Sequence, residues 1–130
     1  MSTNPMTRVA EPRHSLWLLA ASPAIWAAHF LLSYVTAAIW CAKVADIAGS
    51  LWTVRVAILV YTVAALAAIV GIGYVGFASH RLGSASLPHD DDTPQDRRRF
   101  LGFATFLLSG LSAVAVIYAA LVAVYIETCQ

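Results

Sequence analysis

Residues Leu16–Cys41 read LWLLAASPAIWAAHFLLSYVTAAIWC, without a single charged side chain. About 20 apolar residues in a helix cross the ~30 Å hydrocarbon layer of a bilayer, so this stretch is long enough to span one. Trp17 and Trp40 bracket it as interfacial aromatics do. Near its centre sits His29, and an ionisable group at that depth is a functional-site hypothesis by default. Stepping by three and four from His29 collects Ser22, Trp26, Ser33, Thr36 and Trp40, which therefore share one helical face. That polar and aromatic stripe is expected to face protein, a cofactor or water rather than lipid tails.

Working outward, the same hydropathy recurs twice. Val54–Ser79 and Phe100–Ile126 are apolar runs of spanning length, so the sequence predicts an all-α integral membrane protein with three transmembrane helices. Composition agrees: the 130 residues are 60% hydrophobic and 12% charged, and the mean hydropathy is positive. A net charge of +1 gives no case for nucleic acid. Residues 1–14, polar and carrying two prolines, are expected to be a flexible tail ahead of a single membrane domain over 15–130. Residues 80–99 are expected to form a polar loop. Within it His89-Asp90-Asp91-Asp92 reads as a solvated acidic turn rather than a metal site. Arg97, Arg98 and Arg99 are placed to hold anionic lipid headgroups.

Orientation follows from lysine and arginine in the short connections. Arg8, Arg13, Arg81, Arg97, Arg98 and Arg99 belong to one side, and Lys43 and Arg55 to the other. The expectation is a multi-pass protein of a bacterial inner membrane, N-terminus cytoplasmic and C-terminus periplasmic. Cys41 and Cys129 then emerge together on the oxidising side, where a disulfide between them would persist. Two unpaired thiols and a periplasmic copper(I) site are the alternatives.

The second span contains Gly71-Ile72-Gly73-Tyr74-Val75-Gly76, which fits the dinucleotide pattern G-x-G-x-x-G. That pattern works only between a strand and a helix, and here it lies inside an apolar helix. Close helix packing is the better reading, along a small-residue strip of Ala57, Ala64, Ala68, Gly71 and Val75. Thr105, Ser109, Ser112, Ala119 and Ala123 make a second strip on the third span.

His29 admits several roles: a haem ligand shared between two copies of the chain, a proton relay, or a hydrogen-bonding residue. Ser33, Tyr61, Ser109 and Ser112 are its candidate partners. No nucleophile–base pair and no buried carboxylate is visible, which argues against an enzyme and against a proton-coupled exporter.

The run Ser22-Pro23-Ala24-Ile25-Trp26-Ala27-Ala28-His29-Phe30, then Tyr34 and Trp40-Cys41-Ala42-Lys43, resembles small uncharacterised membrane proteins of proteobacteria. Those proteins accompany haem–copper cytochrome c oxidase subunits and their copper-delivery assembly factors. The resemblance is confined to the first span. It implies a respiratory-membrane setting. The small-residue strips on the second and third spans suit intramembrane packing, and the His29 stripe offers more hydrogen-bonding groups than three helices obviously need. The expected function is therefore a non-catalytic accessory or assembly subunit of a larger respiratory complex, a cytochrome oxidase, with that stripe hidden against the partner. A small haem- or copper-binding protein using His29 or Cys41/Cys129 is the other reading.

Overall fold

A computed structural model describes residues 5–43, 51–82 and 94–126, together with Cys129. It has three helices: α1 Pro5–Lys43, α2 Trp52–Leu82 and α3 Pro94–Tyr125. Leu16–Lys43, Trp52–Arg81 and Asp96–Tyr125 are each long and apolar enough to cross a membrane. No strand occurs among the described residues.

All three helices outrun the apolar segments that announce them. α1 begins at Pro5 rather than at Leu16, so residues 5–14 are helical where a flexible tail was expected. Proline at the first helical position is pre-set for the helix and lacks an N–H that would be unpaired anyway. Met6, Arg8, Ala10 and Glu11 are good helix formers, and the helix runs on through Pro12. α3 likewise opens on Pro94 with Asp96 in its first turn, where the helix dipole favours an acidic side chain. Arg97, Arg98 and Arg99 therefore belong to a helix rather than to a loop over 80–99. His89 and Asp90–Asp92 lie outside the described residues.

Lipid changes what a core has to be. Among the described residues the buried hydrophobics are only Val54, Ile58, Ala65, Ile69 and Val116, and Ala65, Ile69 and Val116 cluster, flanked by Ile25, Leu66 and Ala113. Leu31, Val63 and Leu111 are more than half exposed. In a bilayer those side chains meet acyl chains as apolar as themselves, so burying them inside the bundle brings no hydrophobic gain. Packing contact and buried polar bonds hold the helices instead.

The most extensive interface joins α2 and α3. It centres on Gly76 and Gly102, where backbones touch. A Cβ on Gly102 would lie 2.8 Å from the Gly76 carbonyl oxygen, and one on Gly76 would lie 2.9 Å from that of Gly102. One turn along, a Cβ on Gly73 would meet the Ser109 Cβ at 3.1 Å. Two glycines of the Gly71–Gly76 run thus do pack closely, but Gly71 does not: nothing lies within 4 Å of where its Cβ would be. Ala64 and Ala68 are exposed as well. The packing strip expected along Ala64, Ala68 and Gly71 lies on the outward face, and the buried face runs through Val54, Ile58, Ala65, Ile69, Gly73 and Gly76. The two stripes differ by about one residue of helical rotation (~100°), and in an all-apolar helix residue size alone does not choose between them.

Candidate functional site

The stripe on α1 faces into the bundle. Ser22 is fully buried, His29 is 3% exposed, and Ser33 is also buried. Thr36 and Trp40 are half-buried, while Trp26 stands at the edge of the stripe and packs its ring 6.5 Å from Phe30. The expectation that these groups exceed what three helices can use, and so await an outside partner, is corrected at its two main positions. Ser22 and Ser109 hydroxyls hydrogen-bond at 2.8 Å, tying α1 to α3. His29 Nε2 lies 3.0 Å from Thr62 Oγ1, tying α1 to α2.

The histidine bond has a direction. Thr62 donates its only hydroxyl proton to the Ile58 carbonyl at 2.7 Å, so its oxygen accepts from His29. Nε2 therefore carries the ring proton, and Nδ1 is buried with no partner among the described residues. None of the partners expected from the sequence (Ser33, Tyr61, Ser109, Ser112) holds His29. Thr62 was missed, although it is the only serine or threonine in the middle of the second span and lies at matching depth. With the ring enclosed and Nε2 engaged, iron outside the bundle cannot reach it, and the arrangement gives no support to a haem shared between two copies.

Of the third-span strip, Thr105, Ser109 and Ser112 are buried, and Thr105 donates to the Leu101 carbonyl of its own helix at 2.8 Å. Serine and threonine make such bonds commonly in apolar helices, where no water is at hand to satisfy the hydroxyl.

Cys41 and Cys129 form a disulfide, with Cα atoms 5.6 Å apart across 88 positions of sequence. It joins the end of α1 to the chain just after α3, and an oxidised pair offers no thiolate to copper. Arg55, one turn into α2, reaches across the same end and donates from Nη2 to the Ile126 carbonyl at 3.0 Å. The opposite end is basic. Arg97 and Arg98 are exposed there and Arg99 is half-buried, with its carbonyl 3.4 Å from His80 Nδ1. Arg81 stacks 5.5 Å over the Phe77 ring. Among the described residues no three histidines, cysteines or carboxylates come together as a metal site.

Comparison with known proteins finds no matching family model, no matching curated protein and no matching solved structure.

Proposed function

We propose that the chain is a non-catalytic accessory or assembly subunit of a larger complex in the bacterial inner membrane, with its cysteine end in the periplasm. The observation that carries this reading is where the bundle places its polar and its small residues. The spanning polar groups Ser22, Ser109, His29 and Thr62 bond to one another inside, and a disulfide closes one end. That is a scaffold braced from within. Outside, α2 keeps a smooth strip of Ala64, Ala68 and Gly71. Small residues at this spacing let a second helix approach closely, which is how intramembrane partners associate. The partner-facing element is thus the outer face of α2 rather than the His29 stripe.

The resemblance of the first span to proteins that accompany cytochrome oxidase supports a haem–copper oxidase, or its assembly line, as the complex. A disulfide at the cysteine end, the end with fewer basic residues, supports the N-in orientation. Membrane lipid is the other partner, held at the opposite end by Arg97, Arg98 and Arg99.

The test is gentle solubilisation of the tagged full chain from its own membranes, comparing wild type with Gly71→Leu. Nothing in the bundle lies within 4 Å of a Cβ at position 71, and that position faces outward, so the bundle should keep its packing, checked by formation of the Cys41–Cys129 disulfide in the variant. Wild type should bring down large subunits and Gly71→Leu should lose most of them. Equal recovery would remove the α2 strip from the interface, and no partner in either would sink the accessory reading.

A further inference from the structure

Arg81 ends the second span and Arg99 is near the start of the third, so both stand where apolar helix gives way to water. They come from different helices, but one seam holds them. His80 Nδ1 lies 3.4 Å from the Arg99 carbonyl, and the His80 ring lies 5.5 Å from that of Phe103. One turn nearer the membrane centre, Phe77 packs 5.5 Å from Phe106. Phe77 and Arg81 share a face of α2 at a spacing of four, and Arg99, Phe103 and Phe106 share a face of α3 at spacings of four and three. The two ring contacts bring those faces together along one flank of the α2–α3 crossing. Phe77 and Phe103 each follow one of the two touching glycines, Gly76 and Gly102, so their rings splay to the side of the contact rather than into it.

This flank is open to the outside. Phe77 is 39%, Phe103 45% and Phe106 43% exposed. Arg81 is exposed too, and its guanidinium folds back to lie 5.5 Å over the Phe77 ring, which draws the charge down to the membrane edge of the seam. Arg99 is half-buried on the α3 side. Among the described side chains of α2 and α3, four arginines gather at this end against one carboxylate, Asp96, a turn further out than Arg99. The flank therefore offers cations at the water boundary and aromatic rings for ~10 Å beneath Arg99. Arg98 and Arg97 stand about 100° and 160° round α3 from Arg99, away from the rings.

Resting on the reading that lipid is held at the basic end, we propose that this flank is a fixed site for one anionic glycerophospholipid. Its phosphate oxygens accept from the Arg81 and Arg99 guanidiniums, whose planar forks suit phosphate. One acyl chain runs inward along Phe103, Phe77 and Phe106. Such a lipid presents phosphate at the surface and chain beneath it, in the order in which the flank presents its arginines and its rings. A free anion gains nothing from the rings, and a zwitterionic lipid sets its own ammonium against the arginines. Arg81 and Arg99, rather than Arg97 and Arg98, thus carry the selectivity. The flank also stands roughly a third of a turn round α2 from Ala68 and Gly71, so a lipid bound here leaves the partner strip uncovered.

The experiment is native mass spectrometry of the full-length chain, delipidated in mild detergent. The protein is offered equal amounts of phosphatidylglycerol and phosphatidylcholine with the same chains, then an excess of glycerol 3-phosphate or of palmitate as competitor. Wild type should retain one phosphatidylglycerol per chain, with a preference over phosphatidylcholine on the order of ten-fold, and neither competitor should displace it. Arg81→Gln and Arg99→Gln should each weaken retention roughly five-fold, the weight of one arginine beside an anionic headgroup. The Arg97→Gln/Arg98→Gln double variant should leave it within about two-fold of wild type. Gly71→Leu should leave lipid retention unchanged, and Arg81→Gln should leave the recovery of co-purifying subunits unchanged, so the lipid site and the partner strip fail separately. Equal losses across all four arginines would mean diffuse attraction to the basic end, and losses at Arg97 and Arg98 alone would put the lipid on another face. Displacement by glycerol 3-phosphate or by palmitate would mean that only half of the lipid is read. Any of these results would overturn the proposal.

Discussion

Replacing Gly102 by alanine tests the helix contact on which the bundle depends. The added Cβ would stand 2.8 Å from the Gly76 carbonyl oxygen, 3.2 Å from the His80 nitrogen and 3.3 Å from the Ser79 Cβ. The two nearest atoms are backbone, which no rotamer change can move aside. α2 and α3 must separate by about half an ångström, and a gap of ~0.5–1 Å forfeits a quarter to a half of each neighbouring dispersion contact. Overpacking of this kind costs about 1–3 kcal/mol, and the backbone collision puts Gly102→Ala in the upper half of that range. Helix propensity works the other way, with alanine favoured over glycine by up to ~1 kcal/mol. Gly71→Ala and Gly110→Ala gain that same term with nothing within 4 Å to strike. The difference between Gly102→Ala and these controls isolates the contact, at about 2–3 kcal/mol, or roughly 30- to 150-fold in the unfolding equilibrium. Titration with a denaturing detergent in mixed micelles, followed by tryptophan fluorescence with the disulfide kept oxidised, reads this directly. If Gly102→Ala is as stable as Gly71→Ala, the close α2–α3 crossing is wrong.

Other consequences are smaller or simpler to measure. Thr62→Val removes the acceptor of His29 Nε2 and should destabilise the bundle by about 1–2 kcal/mol, with a Thr62/His29 double-mutant coupling near 0.6 kcal/mol; zero coupling would dissolve the bond. Reduction of Cys41–Cys129 should lower stability, by at most ~4–5 kcal/mol on the chain-entropy account for a closure of this length, and by less if the inserted helices already confine the chain ends. In membranes prepared with thiol blocking, both cysteines should be unreactive until reduced; free labelling of either before reduction would contradict the bridge. Ser22→Ala strands the buried Ser109 hydroxyl and should cost on the order of 0.6–1 kcal/mol in the same titration.

The three spans were legible because a helix must bury its backbone polarity whatever its side chains do, so length and hydropathy are enough. The cysteine pairing was legible for a related reason. Two helices running the same way put Cys41 and Cys129 at one end of the bundle, within reach of each other. Helix boundaries were not legible, since Met6–Glu11 and Asp96–Arg99 are polar yet compatible with a helix, and hydropathy ends where the bilayer does. Facing was harder still. On α2, Ala64 and Ala68 look outward while Ala65 and Ile69 look inward, and a scale of hydrophobicity cannot separate them when both environments are apolar. On α1 the serines and His29 did mark a face, because polar groups must find partners. What that stripe meets depends on where α2 and α3 place Thr62 and Ser109, which follows from helix rotation rather than from α1.

The accessory role is tested most directly by a reduced-minus-oxidised visible spectrum of the tagged chain, gently purified from its own membranes with Gly71→Leu alongside. The expected result is an a-type haem signal carried by co-purifying subunits, present with wild type and lost with Gly71→Leu. A b-type haem in stoichiometric amount, held by the isolated chain and abolished by His29→Ala, would contradict both the enclosed histidine and the accessory role.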